Sequence, residues 1–151
     1  MCGIAGFIDS RTAPDIRMAA VGRMCAAMVH RGPDEGGSGS WGEATLGIRR
    51  LAIFDPANGH QPMRAPDDRF AIVFNGSIVN HPELRRELAG GWDFRTACDT
   101  EVLLAAFVRW GERAMCASVR GWIGGRAGHR PTVRTRLVRV TRGGRKMQTQ
   151  N

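Results

Sequence analysis

From Gly121 to its end the chain carries seven Arg, one Lys and no acidic residue, and this break confines a packed fold to the stretch before it. A segment with Arg every two to four residues and few large apolar side chains repels itself. It buries too little surface to offset an ordering cost of about 1–2 kcal/mol per residue. Residues 123–151 are therefore expected to form a disordered, Arg-rich tail. A nucleic-acid-binding arm is the functional alternative, but no aromatic follows Trp122 on which bases could stack. The tail also accounts for the whole net charge of +8, leaving 14 basic against 14 acidic groups upstream. The overall charge of that upstream part does not point to a polyanion partner.

What remains is enough for one domain with a core, and not for two. No apolar run approaches the roughly 20 residues of a membrane span. The start, MCGIAGFIDS, lacks the basic opening and long apolar stretch of a signal peptide. A cytoplasmic protein without a membrane partner is expected, in which Cys2, Cys25, Cys98 and Cys116 stay thiols; their spacing forms no CxxC metal pair.

Periodicity divides the upstream part into strands and helices, with the glycine-rich composition of an α+β protein. Cys2 to Ile8 alternates small and apolar residues and reads as a strand. Val21, Met24, Cys25 and Met28 fall on one face of a helix over about Asp15 to Val29. His30 to Gly42, rich in Gly, Pro and Ser, is expected to be loop. Thr45 to Phe54 and Phe70 to Phe74 are strand candidates, separated by a loop carrying Asp55, Pro56, Asn58 and Gly59. Asn80-His81-Pro82-Glu83 has the capping-box pattern before a short helix to Leu88. Val102, Ala105, Ala106 and Arg109 share a face of a further helix, from about Asp99 to Trp110.

A cysteine at position 2 has a chemical implication. Removal of Met1 leaves Cys2 with an α-amine whose ordinary pKa, about 7.7–8, keeps a useful neutral fraction at physiological pH. That amine can take the proton of its own thiol and return it to a leaving group, so one residue combines nucleophile and base. A second-position Cys alone is more often a small buried residue, and Asn75-Gly76 alone is more often a hairpin turn. His30, His60 and His81 lack a ligand-like grouping, so neither a metal nor another cofactor is expected.

The motifs run MCGIAGFID, HRGPDEGG (His30 to Gly37), LGIRRLAIFD (Leu46 to Asp55), GHQPM (Gly59 to Met63), FNGSIVN (Phe74 to Asn80), TACDTEVLL (Thr96 to Leu104) and RWGE (Arg109 to Glu112). In this order and at these separations, the set resembles class II glutamine amidotransferases of the asparagine synthetase type, from Met1 to about Trp122. HRGPD and RRLAIFD with GHQPM favour that branch over the glucosamine-phosphate, purine-pathway and glutamate synthase branches.

The resemblance implies an amino-terminal-nucleophile αββα sandwich over residues 2–122, with L-glutamine as substrate. Cys2 attacks the glutamine side-chain amide, forms a thioester and releases ammonia. Asn75 and Gly76 form the oxyanion hole, Arg50 takes the glutamine α-carboxylate, Asp99 takes its α-ammonium, and Ser77 lies against the bound substrate. Arg31 and Asp34 bracket the site as framework residues. Physically the set is coherent: a planar guanidinium suits a carboxylate, and neutral amide donors suit an oxyanion.

The chain also departs from the pattern. It reads NGSIVN where the family usually has NGEIYN, so Ser77 replaces Glu and Val79 replaces Tyr. Ile48 stands where His is common, and Cys98 where Ser is. After Arg120 to Trp122 the family's later strands give way to the acid-free segment, as an out-of-frame reading of a GC-rich gene would produce. A truncated or frameshifted, incomplete sandwich is therefore expected, without the synthetase domain that would accept the ammonia. The alternatives are a catalytically inactive remnant of that domain and a basic nucleic-acid-binding module.

Overall fold

A computed structural model describes residues 2–121 in full and 122–123 and 135–139 as backbone. Among the described residues the architecture is α+β, with antiparallel sheets and three α-helices. Its first sheet has the order β1-β3-β2, formed by Gly3–Ile8, Ala44–Arg50 and Glu35–Trp41. The second has the order β4-β5-β8, formed by Met63–Arg64, Phe70–Phe74 and Thr135–Arg139. A two-stranded ribbon pairs β6 (Gly76–Ile78) with β7 (Gly121–Ile123).

Alternation along β3 and β5 sets the layers. Leu46 and Ile48 of β3 pack with Ala71 and Val73 of β5 in one fully buried cluster between the sheets. Ile72 and Phe74, on the opposite face of β5, join Val102, Leu103, Ala106 and Leu84 in a second cluster. That cluster is roofed by α2 (His81–Leu88) and α3 (Asp99–Ser118). Both faces of β5 are therefore buried, as its run FAIVF requires. α1 (Pro14–Ala27) covers the outer face of the first sheet, contacting β1, β2 and β3.

Several elements differ from the reading of the sequence. The expected loop His30–Gly42 contains a single 3-10 turn, Val29–Arg31, and the seven-residue strand β2. Its Gly and Ser residues hide the strand because ladder hydrogen bonds need no large side chains. A Cβ on Gly37 would collide with the carbonyl of Gln61, so that close approach demands glycine. β2 joins β3 through a two-residue turn with Gly42 at φ 53°.

β3 stops at Arg50 instead of running to Phe54. Beyond it the backbone serves side chains, since Leu51 N–H points to Cys2 and Ala52 N–H to Asp34. On α1, Met24 is exposed and Arg17 is buried. The Arg17 guanidinium donates to the carbonyls of Asp9, Thr12 and Gly42 and to Thr45 Oγ1. This charged residue therefore packs on the helix face that periodicity assigned to apolar ones.

The capping-box bonds of α2 do not form. Asn80 instead spends its amide on Ser118 O at 2.9 Å and Arg120 N at 2.7 Å, tying the start of α2 to the end of α3. α3 is interrupted at Gly111, φ 77°, then resumes to Ser118. Finally, Thr135–Arg139, within the segment expected to lack strand character, pairs along β5 as β8. The run TRLVR carries enough strand-forming residues to extend an antiparallel ladder. The rest of the expected tail lies outside the described residues.

Candidate active site

Register brings the first residues of the chain to the far end of β3. Gly3 pairs with Arg49, so Cys2 emerges beside Arg50 and Leu51. Leu51 N–H donates to Cys2 Sγ at 3.3 Å, and the thiol lies 3.8 Å from Leu51 O. Arg31 Nε donates to the Cys2 carbonyl at 3.3 Å, and Asp34 Oδ2 accepts from Ala52 N at 2.8 Å. Arg31 thus holds the Cys2 backbone and Asp34 the segment after Leu51, as framework residues do.

The opposite wall comes from the second sheet and α3. Phe74 ends β5, Asn75 makes the corner, and Gly76 and Ser77 begin β6. Asp99 stands at the first position of α3, where the helix dipole favours a negative charge. It is buried, with Oδ2 accepting from Ile78 N at 3.0 Å and Oδ1 within 3.6 Å of the Cys98 thiol. Burial pushes the Cys98 thiol above its ordinary pKa, so it stays protonated and donates to that carboxylate. Between the walls lies a cavity of about 330 Å³. Cys2, Arg50, Asn75, Gly76, Ser77 and Asp99 all line it, joined by Leu51, Ile53, Phe54, Gln61 and Thr100 among others. Its size suits a small molecule.

Arg50 is 3% exposed and heavily engaged. Its Nη1 donates to Glu35 Oε2 at 2.8 Å and to Pro56 O at 3.3 Å. Its Nη2 donates to Phe54 O at 2.7 Å and Asp55 O at 3.0 Å. Gly59 makes room for this arrangement, since a Cβ there would come within 2.5 Å of Nη2. Glu35 also accepts from His60 Nδ1 at 2.7 Å. Partial burial opposes ionisation of Glu35, but its bonds to Arg50 and His60 outweigh it and hold the carboxyl below its ordinary range. Arg50 therefore does not offer a free fork for a bidentate partner; Nε–H is the donor left over among the described residues.

The sequence reading gave no role to Glu35, His60, Gln61 or Leu51. Gln61 is buried, donating to Thr100 Oγ1 at 3.1 Å and accepting from Phe74 N at 2.7 Å, which fixes the cavity floor. Gln61 and His60 stood inside the quoted GHQPM motif, which was a signal that something there mattered. Leu51 acts through its backbone, which side-chain identity does not advertise. Asp55 Oδ2 accepts from Ala97 N at 2.8 Å and so clasps the two loops at the cavity rim. Among the described residues no group of three or more His, Cys, Asp or Glu is placed to hold a metal ion.

The family described as a glutamine amidotransferase domain matches residues 1–123. The chain belongs to the glutamine amidotransferase domain family. Within it, the chain is similar to proteins named asparagine synthetase [glutamine-hydrolyzing]. It is 40% identical over 126 residues to number 1 of Bacillus subtilis, covering 80% of this chain and 20% of that protein. Number 3 of the same organism is 38% identical over 117 residues, covering 74% of this chain and 19% of that protein. A putative asparagine synthetase of Mycobacterium bovis is 39% identical over 132 residues, covering 76% and 20%. The likeness places this amidotransferase domain in the class II, asparagine synthetase branch. The chain spans about a fifth of the length of the curated relatives it matches.

Proposed function

We propose that this domain hydrolyses L-glutamine to glutamate and ammonia with Cys2 as nucleophile. The observation that carries the reading is the convergence of Cys2, Arg50, Asn75, Gly76, Ser77 and Asp99 on one cavity from separate stretches of chain. Once Met1 is removed, Cys2 Sγ attacks the side-chain carbonyl carbon, and the carbonyl electrons move to oxygen. The Asn75 amide and Gly76 N–H receive that oxyanion; removing such a donor costs about 3–4 kcal/mol of transition-state stabilisation. The Cys2 α-amine takes the thiol proton and delivers it to the departing nitrogen, so ammonia leaves and a γ-glutamyl thioester remains. The same amine then deprotonates water, which cleaves the thioester to glutamate and restores the thiol. Asp99 holds the substrate ammonium, Arg50 faces its carboxylate through Nε–H, and Ser77 lies alongside. No cofactor enters the scheme.

The order of layers, α1, first sheet, second sheet, then α3 with α2, supports an αββα sandwich of the amino-terminal-nucleophile kind. In our reading it is an incomplete one over residues 2–122. The ammonia would pass to a synthetase domain or subunit, with the cytoplasm as the compartment. Cys2, Cys25, Cys98 and Cys116 are all free thiols, which suits that compartment. No described helix is long and apolar enough to cross a membrane. The test is glutamate release from L-glutamine by the full chain and by Cys2→Ala. We expect activity in the first and none in the second, with Cys25→Ala retaining most. An inactive parent chain would establish the remnant reading instead.

A further inference from the structure

The nucleophile and the oxyanion donors of the proposed chemistry ride on different sheets. Cys2 precedes β1 and is placed by the first sheet, through the rung that pairs Gly3 with Arg49. Asn75 and Gly76 follow the last residue of β5, in the second sheet. Gly76 is held by its own rung, opposite Ile123 of β7. Asn75 belongs to neither β5 nor β6, so no ladder holds it directly. A donor of this kind works only where the oxyanion develops, and a misplacement of about 1 Å costs on the order of a hundredfold in rate. The distance between the two sheets at this end of the cavity therefore matters to the chemistry.

Gln61 meets both sheets there. Its backbone carbonyl lies against Gly37 of β2, so close that a Cβ on that glycine would overlap it. Its side chain reaches the other way. Oε1 accepts from Phe74 N at 2.7 Å, and Nε2 donates at 3.1 Å to Oγ1 of Thr100, in the first turn of α3. Register explains the first of these bonds. The last rung of β4 on β5 pairs Met63 with Ile72, and continuing it by two residues sets Gln61 opposite Phe74. The strand has ended at that point, and the Gln61 side-chain carbonyl takes the place of a backbone acceptor. Gln61, Phe74 and Thr100 are all buried, so an unmade bond among them is costly. Phe74, whose N–H this side chain holds, is the residue immediately before Asn75.

We propose that Gln61 is a positioning residue for the oxyanion hole. It braces β2 of the first sheet against the end of β5 and ties that end to α3, and so fixes Asn75 at the distance from Cys2 that the reaction needs. The inference rests on the reading of Cys2 as nucleophile and Asn75 as oxyanion donor, and adds the residue that holds one relative to the other. Its effect belongs to the transition state, because the bound amide makes less demand on that alignment than the oxyanion does. Loss of Gln61 should therefore lower kcat and leave KM nearly alone. It should also act only while Asn75 is present to be misplaced.

The test is a double-mutant cycle on the full chain, reading kcat and KM for glutamate release from L-glutamine. Gln61→Met keeps the length of the side chain and removes both bonds. It should lower kcat by about tenfold to a hundredfold, with KM within about threefold of the parent. Asn75→Ala alone should cost about a hundredfold or more. In the Asn75→Ala background, Gln61→Met should cost less than about threefold further, because the group it misplaces is gone. A loss of folded protein acts on both backgrounds alike, so equal fold losses from Gln61→Met overturn the inference and leave the glutamine reading standing. A raised KM at unchanged kcat also overturns it, since Gln61 would then shape substrate binding. Should Gln61→Met not fold, Thr100→Val repeats the cycle, keeping the buried shape and removing only the acceptor of the Gln61 amide. A kcat loss of about threefold or more that vanishes beside Asn75→Ala is expected. No loss, or one that persists there, overturns the inference. An inactive parent chain overturns the glutamine reading itself, and the inference with it.

Discussion

Arg50→Lys tests whether the guanidinium is structural as well as functional. The substitution keeps the positive charge, so any loss comes from geometry. Arg50 makes one ion pair, to Glu35, and three bonds to the carbonyls of Phe54, Pro56 and Asp55. An ammonium is a compact point charge on a shorter reach and cannot span carbonyls on both sides of a planar fork. We expect the substituted ammonium to retain the Glu35 contact and one carbonyl, leaving two carbonyls without their charged donor. At about 1.5–3 kcal/mol for each such bond, reduced because the loop backbone is partly hydrated, the cost is about 2–4 kcal/mol. For a domain of this size that corresponds to a fall in Tm of roughly 8–16 °C. Urea unfolding followed by tryptophan fluorescence would give the free energy, and calorimetry the Tm. The loop from Leu51 to Gln61 should also become more open to hydrogen exchange, because its carbonyls hang on this one side chain. A loss under about 0.5 kcal/mol would refute the reasoning, since a surface substitution costs no more than that.

Three other outcomes are open to direct measurement. Mass spectrometry of the intact protein should show Met1 removed, and a retained Met1 would leave Cys2 without its α-amine and remove the base from the proposed chemistry. The Glu35 carboxyl is held below its ordinary value of 4.5 by Arg50 and His60. Its contribution to stability is fully present above that value and fades as pH falls through its lower folded value. Glu35→Gln should therefore flatten the acid limb of the stability curve below about pH 4.5 and change nothing in its slope near neutrality. Leu46→Ala, at the fully buried contact between the sheets, should cost about 2–5 kcal/mol in urea unfolding, and a much smaller loss would mean that the sheets do not pack through that face.

What local pattern specifies was legible without coordinates. The run FAIVF became β5, the alternation from Cys2 to Ile8 became β1 with Cys2 just ahead of it, and Asp99 opens its helix as expected. Each depends on side chains within a few residues, whose apolar spacing matches one element. The motif series carried the family, which matches residues 1–123, and its residues carried a list of site candidates that all line one cavity. Tertiary structure decided the rest. β2 needs glycine at position 37 because Gln61 approaches there too closely for a Cβ, a demand that comes from 24 positions away. Asn80 forgoes its capping role because Ser118 and Arg120, near 40 residues on, take both ends of its amide. Arg17 is buried because carbonyls from the β1–α1 loop and from the β2–β3 turn converge on it. Above all, the pairing of Glu35 with Arg50 follows from the register of β2 on β3, which no spacing along the chain encodes. Sequence alone named Arg50 as a candidate; only the ladder opposite it decides that its guanidinium meets Glu35 at 2.8 Å.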